Sequence, residues 1–438
     1  MLRNAVRSLI WRLRNPDGGV RDLTRLLGRG SWAVADQGLF TASNFALNIL
    51  LARWLVPQDY GAFAVAYAVF SLVGVVHNAL LSEPMLIFGA DRYKARLSEY
   101  TGFLLYGHVG FSVLSGVLLL LGGLVVGLSG SQALCWALLG LAGTSPFMLF
   151  QVLMRQSCYV RFKPQLAAAS GALYMILMLA GAYLLYQAGW LSALTAFALM
   201  GLCGLVTGLF LVAILRVSLP SLKDETLVQP TLQAHWGYGR WSVGTRAMAW
   251  IIGSSYFVLL PIWGGLEATA ALRALMNLIM PVLQVYAALS VLLLPTLVHA
   301  RGTAGFGRTT RWTFVLFISG STLYWMVLGL LHRPLIDWLY DGRYTGYAWL
   351  IWILALVPII VGVAEVQSTV LRALGRVDLV FWASVVSTVV ALTVGIGSLF
   401  VFGLSGVLIW LLLSWMADVV TMWWFMLTKV KGKGAVER

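Results

Sequence analysis

Long apolar runs recur from Ser31 almost to the C-terminus of this 438-residue chain, and each is long enough to cross a bilayer. About 20 helical residues, at roughly 1.5 Å apiece, span the hydrocarbon. Twelve such segments can be drawn, over residues 31–54, 60–82, 100–128, 131–154, 166–187, 190–216, 238–262, 267–296, 311–331, 345–370, 379–402 and 404–428. Backbone N–H and C=O groups find no water in hydrocarbon, so a spanning chain must close them in helices or in a barrel. A barrel would show segments of about ten residues with alternating polarity. These runs are continuous instead. The sequence therefore predicts an all-α polytopic membrane protein of about twelve transmembrane helices. The 60% hydrophobic and 11% charged content and the mean hydropathy of +0.86 agree, and no polar insertion is large enough for a separate soluble domain.

The net charge of +14 would suit a nucleic-acid binder, but its placement reads as topology. With twelve spans, 25 of the 30 basic residues fall on one side: the arginine-rich start, Arg92, Lys94 and Arg96, Arg155, Arg161 and Lys163, Arg216, Lys223 and Arg240, Arg301, Arg308 and Arg311, Arg372 and Arg376, and the tail. Arg53, Arg333 and Arg343 fall on the other side, and Arg246 and Arg273 inside spans. Basic residues stay cytoplasmic, so both termini are expected there and no nucleic-acid partner is implied. Residues 1–30 carry seven arginines without the apolar core of a secretory signal. Leu2, Val6, Leu9, Ile10 and Leu13 share a helical face, predicting an amphipathic helix on an anionic leaflet, broken at Asn15–Gly19. Residues 429–438 form a basic tail.

Within the first span, Gln37, Thr41, Asn44 and Asn48 fall at i, i+4, i+7 and i+11, one face of a helix, with Asp36 beside them and Arg53 at the far end. Amides do not face lipid, so this stripe either bonds to other helices or lines a polar cavity. The chain also repeats itself. Trp32–Gln37 matches Trp241–Arg246, Asp59 matches Glu267, and Tyr67, Ser71 and Asn78 match the spacing of Arg273, Asn277 and Gln284. Arg155 likewise matches Arg372. Six spans per half is an even number, so the halves are parallel repeats about an axis along the membrane normal. They are residues 31–216 and 238–428, joined by a cytoplasmic linker at 217–237 with Pro220 and Pro230.

The stretches LARWLVPQDYGAFAVAYAVFSL, LRALGR at 371–376 and LYDGRYTGYAWLIWILALV at 339–357 resemble the Wzx-type polysaccharide-export flippases of the multidrug/oligosaccharidyl-lipid/polysaccharide (MOP) superfamily. The resemblance covers about Ser31 to Thr428 and implies two six-helix bundles around a central cavity that alternates between inward-open and outward-open states. It further implies a bacterial cytoplasmic membrane and an undecaprenyl-pyrophosphate-linked oligosaccharide as cargo. Membrane lipids and other polysaccharide-assembly proteins would be the remaining partners.

Such a cargo needs cations for pyrophosphate and hydrogen bonders and aromatic faces for sugars. An unpartnered hydroxyl in hydrocarbon costs roughly 4–8 kcal/mol, which a polar lining removes. The expected lining is Gln37, Asn44, Asn48, Arg246, Trp250, Arg273, Asn277 and Gln284. Arg246 and Arg273 are the candidate pyrophosphate ligands, because guanidinium forks suit phosphate oxygens, with Arg53 receiving the group after the flip. The structural alternatives are snorkelling for Arg246 and Arg53, and an ion pair of Arg273 with Asp36, Glu267 or Glu365. Glu83 reads as interfacial, whereas Asp36, Glu365 and Asp418 are candidate proton or sodium sites. The membrane potential alone is another source of drive. No resident cofactor, metal site or catalytic constellation is expected. The five histidines are scattered, there is no P-loop, and Cys135, Cys158 and Cys203 read as buried hydrophobes. A multidrug antiporter of the same superfamily is the alternative function. A membrane polymerase or ligase would need more than the short gap at 332–345 for its catalytic groups.

Overall fold

The computed structural model describes residues 16–303 and 305–430. The amphipathic helix expected over residues 1–14, and the part of the basic tail holding Lys431, Lys433 and Arg438, lie outside the described residues. No strand occurs among those described.

Helix α1 (Pro16–Trp54) starts where the break was expected, but takes Gly18 and Gly19 into its first turn. Proline is well placed at a helix start, since its missing N–H has no intrahelical partner there. Helix α2 (Pro57–Phe88) also opens on proline and passes through a π turn at Asn78–Ser82. Pro84 supplies the reason for the irregularity. It cannot donate to the Leu80 carbonyl, and that oxygen instead accepts from His235 Nδ1 at 2.8 Å. Then come α3 (Leu97–Leu128), α4 (Gln132–Val160), α5 (Pro164–Gln187) and α6 (Ala193–Leu215), the last opened by a reciprocal Ser192–Thr195 capping box.

The linker is shorter than the sequence suggests. Asp224 accepts from the Thr226 N–H and caps a helical ribbon running from Glu225 to Ala300, so only residues 217–224 remain as connection. The loop expected near 262–267 is reduced to one residue, Gly265, at φ 77° and ψ 173°. Without a Cβ it turns the chain in a conformation other residues avoid, separating α7 (225–264) from α8 (266–300). Helices α9 (Gly305–Tyr340), α10 (Thr345–Ala373), α11 (Val377–Phe402) and α12 (Leu404–Phe425) complete the chain.

Ten helical segments among the described residues are long and apolar enough to cross a membrane. One of them, Glu225–Tyr286, bends at Gly265 and makes two crossings, and α1 packs lengthwise on α5 as a twelfth member. This is a multi-pass helical membrane protein. In the first bundle α4 contacts α2, α3, α5 and α6; in the second, α10 packs on α8, α9 and α12, with α11 on α12. Helix α2 joins the two by lying against α7 and α8. Buried aromatic contacts knit each bundle, such as Phe63 on Phe197 and Tyr256 against Trp410. The basic turns gather at one end, where Arg96 pairs with Asp224 and Ser98 Oγ bonds the Arg216 carbonyl. We call this the basic end, and the end with Arg53, Arg333 and Arg343 the distal end.

Candidate functional site

The α1 stripe faces the other bundle. Asn48 Oδ1 accepts from Arg273 Nε at 3.1 Å, across 225 residues of chain. Asn48 and Asn44 each turn their amide N–H₂ back onto the carbonyl four residues earlier, which leaves their side-chain oxygens facing outward from the helix. Exposure rises along the stripe toward the basic end: Asn48 is buried, Asn44 and Thr41 half-buried, Gln37 exposed. Helix α8 shows the same gradient, from buried Asn277 to exposed Pro281, Gln284 and Val285. Both faces are thus closed at the Asn48–Arg273 contact and more exposed toward the basic end, which we read as a polar cleft with that contact at its apex.

Arg273 is the chief charge of that apex. Its guanidinium lies 5.0 Å from the Tyr67 ring and 5.5 Å from the Phe257 ring, in cation–π range of both. Neighbouring Asn277 donates to the Tyr60 hydroxyl at 3.1 Å. None of the carboxylates that would have made Arg273 structural reaches it: among the described residues it forms no ion pair. Glu267 instead takes Gln58 Nε2 at 3.3 Å.

Beyond the apex the distal end is shut. Arg53 donates to the Trp338 carbonyl at 3.3 Å and Arg343 to the Leu55 carbonyl. Gly61 lies so close to α8 that a Cβ would stand 1.9 Å from the Leu266 carbonyl oxygen. Arg53 also borders a distal cavity of about 340 Å³ with Trp54, Tyr186 and Arg343, where the Trp54 and Tyr186 rings stack at 4.4 Å.

Arg246 and Trp250 occupy the α2–α7 seam, not the cleft apex. Trp250 Nε1 donates to Ser71 Oγ at 2.9 Å and to the Ala68 carbonyl at 3.1 Å. Arg246 pairs with Glu83, which also accepts from Ser242. Glu83, read from sequence as interfacial, is thus a tie between the two bundles.

Asp36 is fully buried and already neutralised. Arg155 Nε bonds both its oxygens, at 2.8 and 2.9 Å, Tyr159 donates to it, and Arg155 also reaches Gln37 Oε1 at 3.0 Å. The Arg155 guanidinium lies 4.3 Å from the Phe40 ring. The sequence reading placed Arg155 in a basic turn, but it stands inside α4, which runs on to Val160. In the second bundle Asp418 is buried with Glu365 as the charge acting on it, and Asp418 Oδ1, Gln367 Oε1 and Ser414 Oγ have no hydrogen-bond partner among the described residues.

Two histidine placements escaped the sequence. His77 and His108, 31 residues apart, bond ring to ring at 3.0 Å, and His235 Nε2 accepts from the Tyr100 hydroxyl at 2.7 Å. Helical spacing links residues three or four apart, and no such signal joins these.

No protein-family model matches the chain, and no curated protein matches it in sequence. Solved structures do. An inward-facing multidrug-resistance MATE family transporter of the MOP superfamily superposes with a TM-score of 0.72 at 14% identity, over 90% of this chain and 97% of that one. The lipid II flippase MurJ, in an inward closed conformation, gives 0.70 at 13% identity, over 91% and 87%. A MOP superfamily transporter from Pyrococcus furiosus, whose structure was described in terms of a reversed binding-pocket polarity, gives 0.62 at 15% over 91% and 94%. At these identities the likeness is one of fold. The chain has a MATE-like fold of two helical bundles.

Proposed function

We propose that the chain is a flippase that moves a polyprenyl-pyrophosphate-linked oligosaccharide from the cytoplasmic to the periplasmic leaflet of a bacterial inner membrane. The observation that carries this reading is Arg273: a cation without a carboxylate partner among the described residues, at the apex of a cleft lined by Asn44, Asn48 and Gln37. An anion is the ligand that completes it, and a guanidinium suits phosphate oxygens. The Tyr67 ring and the buried Phe257 ring beside it hold the guanidinium in place. The basic end is the cytoplasmic one by the placement of its arginines and lysines, so the cleft opens toward the leaflet where the cargo is made. The more exposed faces of α1 and α8 on that side offer a lateral passage for a polyprenyl chain in lipid.

Drive comes from two sources. An anion leaving a negative interior gains about 2.3 kcal/mol per charge per 100 mV. The buried Asp418 with its open Oδ1, beside Glu365, adds a place for a proton or sodium ion, while the bond of Asp36 to Arg155 favours a structural role for that carboxylate. The same two carboxylates, with the likeness to a multidrug-resistance transporter, favour a cation-coupled drug antiporter as the second reading.

The test is a strain lacking the chain, with polyprenyl-linked glycans measured by mass spectrometry. Accumulation of one complete repeat unit shielded from periplasmic enzymes is the expected result. Unchanged glycans with new sensitivity to cationic drugs would overturn it in favour of the antiporter.

A further inference from the structure

We propose that the basic end of the first bundle carries a phosphate-binding site of its own, between the α2–α3 turn and the α4–α5 turn, and that its ligand is the head group of an anionic phospholipid. A cavity of about 430 Å³ lies there, lined by Lys94 and Ser98 from one turn and Arg161, Phe162 and Lys163 from the other. It shares no residue with the cleft described above, so it stands whatever the cargo of that cleft.

Three observations point to an anion. Lys94, Arg161 and Lys163 converge on the cavity, and among the described residues none of them makes an ion pair. Of the carboxylates at this end, Glu99 and Asp224 are both held by Arg96, and exposed Asp91 forms no ion pair with any of the three among the described residues. Arg161 Nε is buried with no hydrogen-bond partner in the described structure, although its Nη2 reaches Thr101 Oγ1 at 3.4 Å. A desolvated guanidinium with an orphaned N–H is costly until an acceptor meets it, and burial already pulls the Arg161 pKa below its ordinary value. Finally, two helices begin at the cavity wall. Helix α3 starts at Leu97 and α5 at Pro164, and neither has a side-chain cap on its first N–H groups. The α3 start borders the cavity through Leu97 and the α5 start follows its lining residue Lys163, so the positive end of each helix lies near it.

The apolar rim argues for a lipid over a soluble phosphate. Leu97, Val160 and Phe162 border the same space. Phe162 sits at φ 55°, a left-handed conformation that an aromatic residue seldom takes, and the turn holds its ring 59% exposed at the level of the basic groups. Cations around a pocket with apolar residues at its edge match a phosphodiester whose acyl chains continue into the bilayer.

The experiment compares the intact protein with Lys94→Ala/Lys163→Ala, and with Arg301→Ala/Arg308→Ala as a charge-matched control on the other bundle. Apparent affinity is read from the ligand-dependent rise in Tm in detergent. The probes are phosphatidylglycerol, phosphatidylcholine and inorganic phosphate. Phosphatidylglycerol, and not phosphatidylcholine, should stabilise the intact protein. The pocket variant should bind it about 25-fold more weakly, roughly fivefold per lysine, and the control should match the intact protein. A shift with inorganic phosphate that the pocket variant loses, without one from phosphatidylglycerol, would keep the phosphate site and replace the lipid by a soluble source. Equal losses in both variants, or the same response to both lipids, would overturn the site.

Discussion

The cost of one unpaired charge explains how Asp36 and Arg155 should behave. Both are buried, and each is satisfied mainly by the other. Removing one charge strands its partner, which costs about 3–5 kcal/mol, whereas replacing the pair by apolar groups of similar size is often neutral. Asp36→Asn should therefore lower Tm markedly in detergent, and Asp36→Leu combined with Arg155→Met should recover most of the loss. An Asp36→Asn protein as stable as the original would mean that the pair is not a structural tie. Arg273 calls for the opposite outcome. It is held by its bond to Asn48 and two ring faces and by no carboxylate among those described, so its removal strands the Asn48 oxygen but no charge and should cost less stability than the loss of Asp36. Arg273→Ala should lower transport at least tenfold with a smaller fall in Tm than Asp36→Asn, and Arg273→Lys should fall between, keeping the charge but losing the planar fork. The stripe from Gln37 to Asn48 and the position of Arg273 were legible because helical spacing writes a face into the sequence. The partners of Asp36, Glu83 and His77 were not. They lie 119, 163 and 31 residues away, and nothing local encodes which helices will meet.

At the scale of elements, the twelve runs were visible while their ends were not. Hydrophobicity marks what lies in lipid, but helices continue past it: α1 begins at Pro16 and α4 carries on to Val160, which moved Arg155 from a turn into a helix. The loop between the seventh and eighth spans shrank to Gly265 because a single positive-φ residue can redirect a helix. Helix α2 depends on another glycine for its approach to α8. A Cβ on Gly61 would lie 1.9 Å from the Leu266 carbonyl oxygen, where carbon and oxygen ordinarily rest about 3.3–3.6 Å apart. Gly61→Ala should push the start of α2 away from α8 and loosen the distal closure. Hydrogen–deuterium exchange at residues 53–60 and 338–346 reads this directly. Faster exchange there, with exchange in α4 and α6 unchanged, is expected; an unaltered pattern would show that the distal contact yields without opening.

For the whole molecule, the contacts between bundles divide into a seam and a gate. The seam is α2 on α7, tied by Trp250 to Ser71, by His235 to the Leu80 carbonyl, and by Ser242 and Arg246 to Glu83. It remains joined as far as Glu83 and Arg246, while the α1 and α8 faces grow more exposed on the other side of the cleft. The gate is the distal group around Gln58–Glu267, Arg53–Trp338 and Leu55–Arg343. If the bundles rock about the seam, the gate must break in every cycle and the seam need not. Two cross-links separate these roles. A short reducible bifunctional thiol reagent bridging Gln58→Cys and Glu267→Cys holds the gate shut, so transport should fall to background and return on reduction. At the seam, a Cβ on Gly239 would stand 3.2 Å from the Leu80 Cα, close enough for a disulfide between Leu80→Cys and Gly239→Cys. That bond should leave most transport intact, because it lies along the axis of rotation. Cys135, Cys158 and Cys203 are buried and compete little for the reagent. Loss of transport with the seam disulfide would place the moving contact at α2–α7 and end the hinge assignment, whatever the cargo.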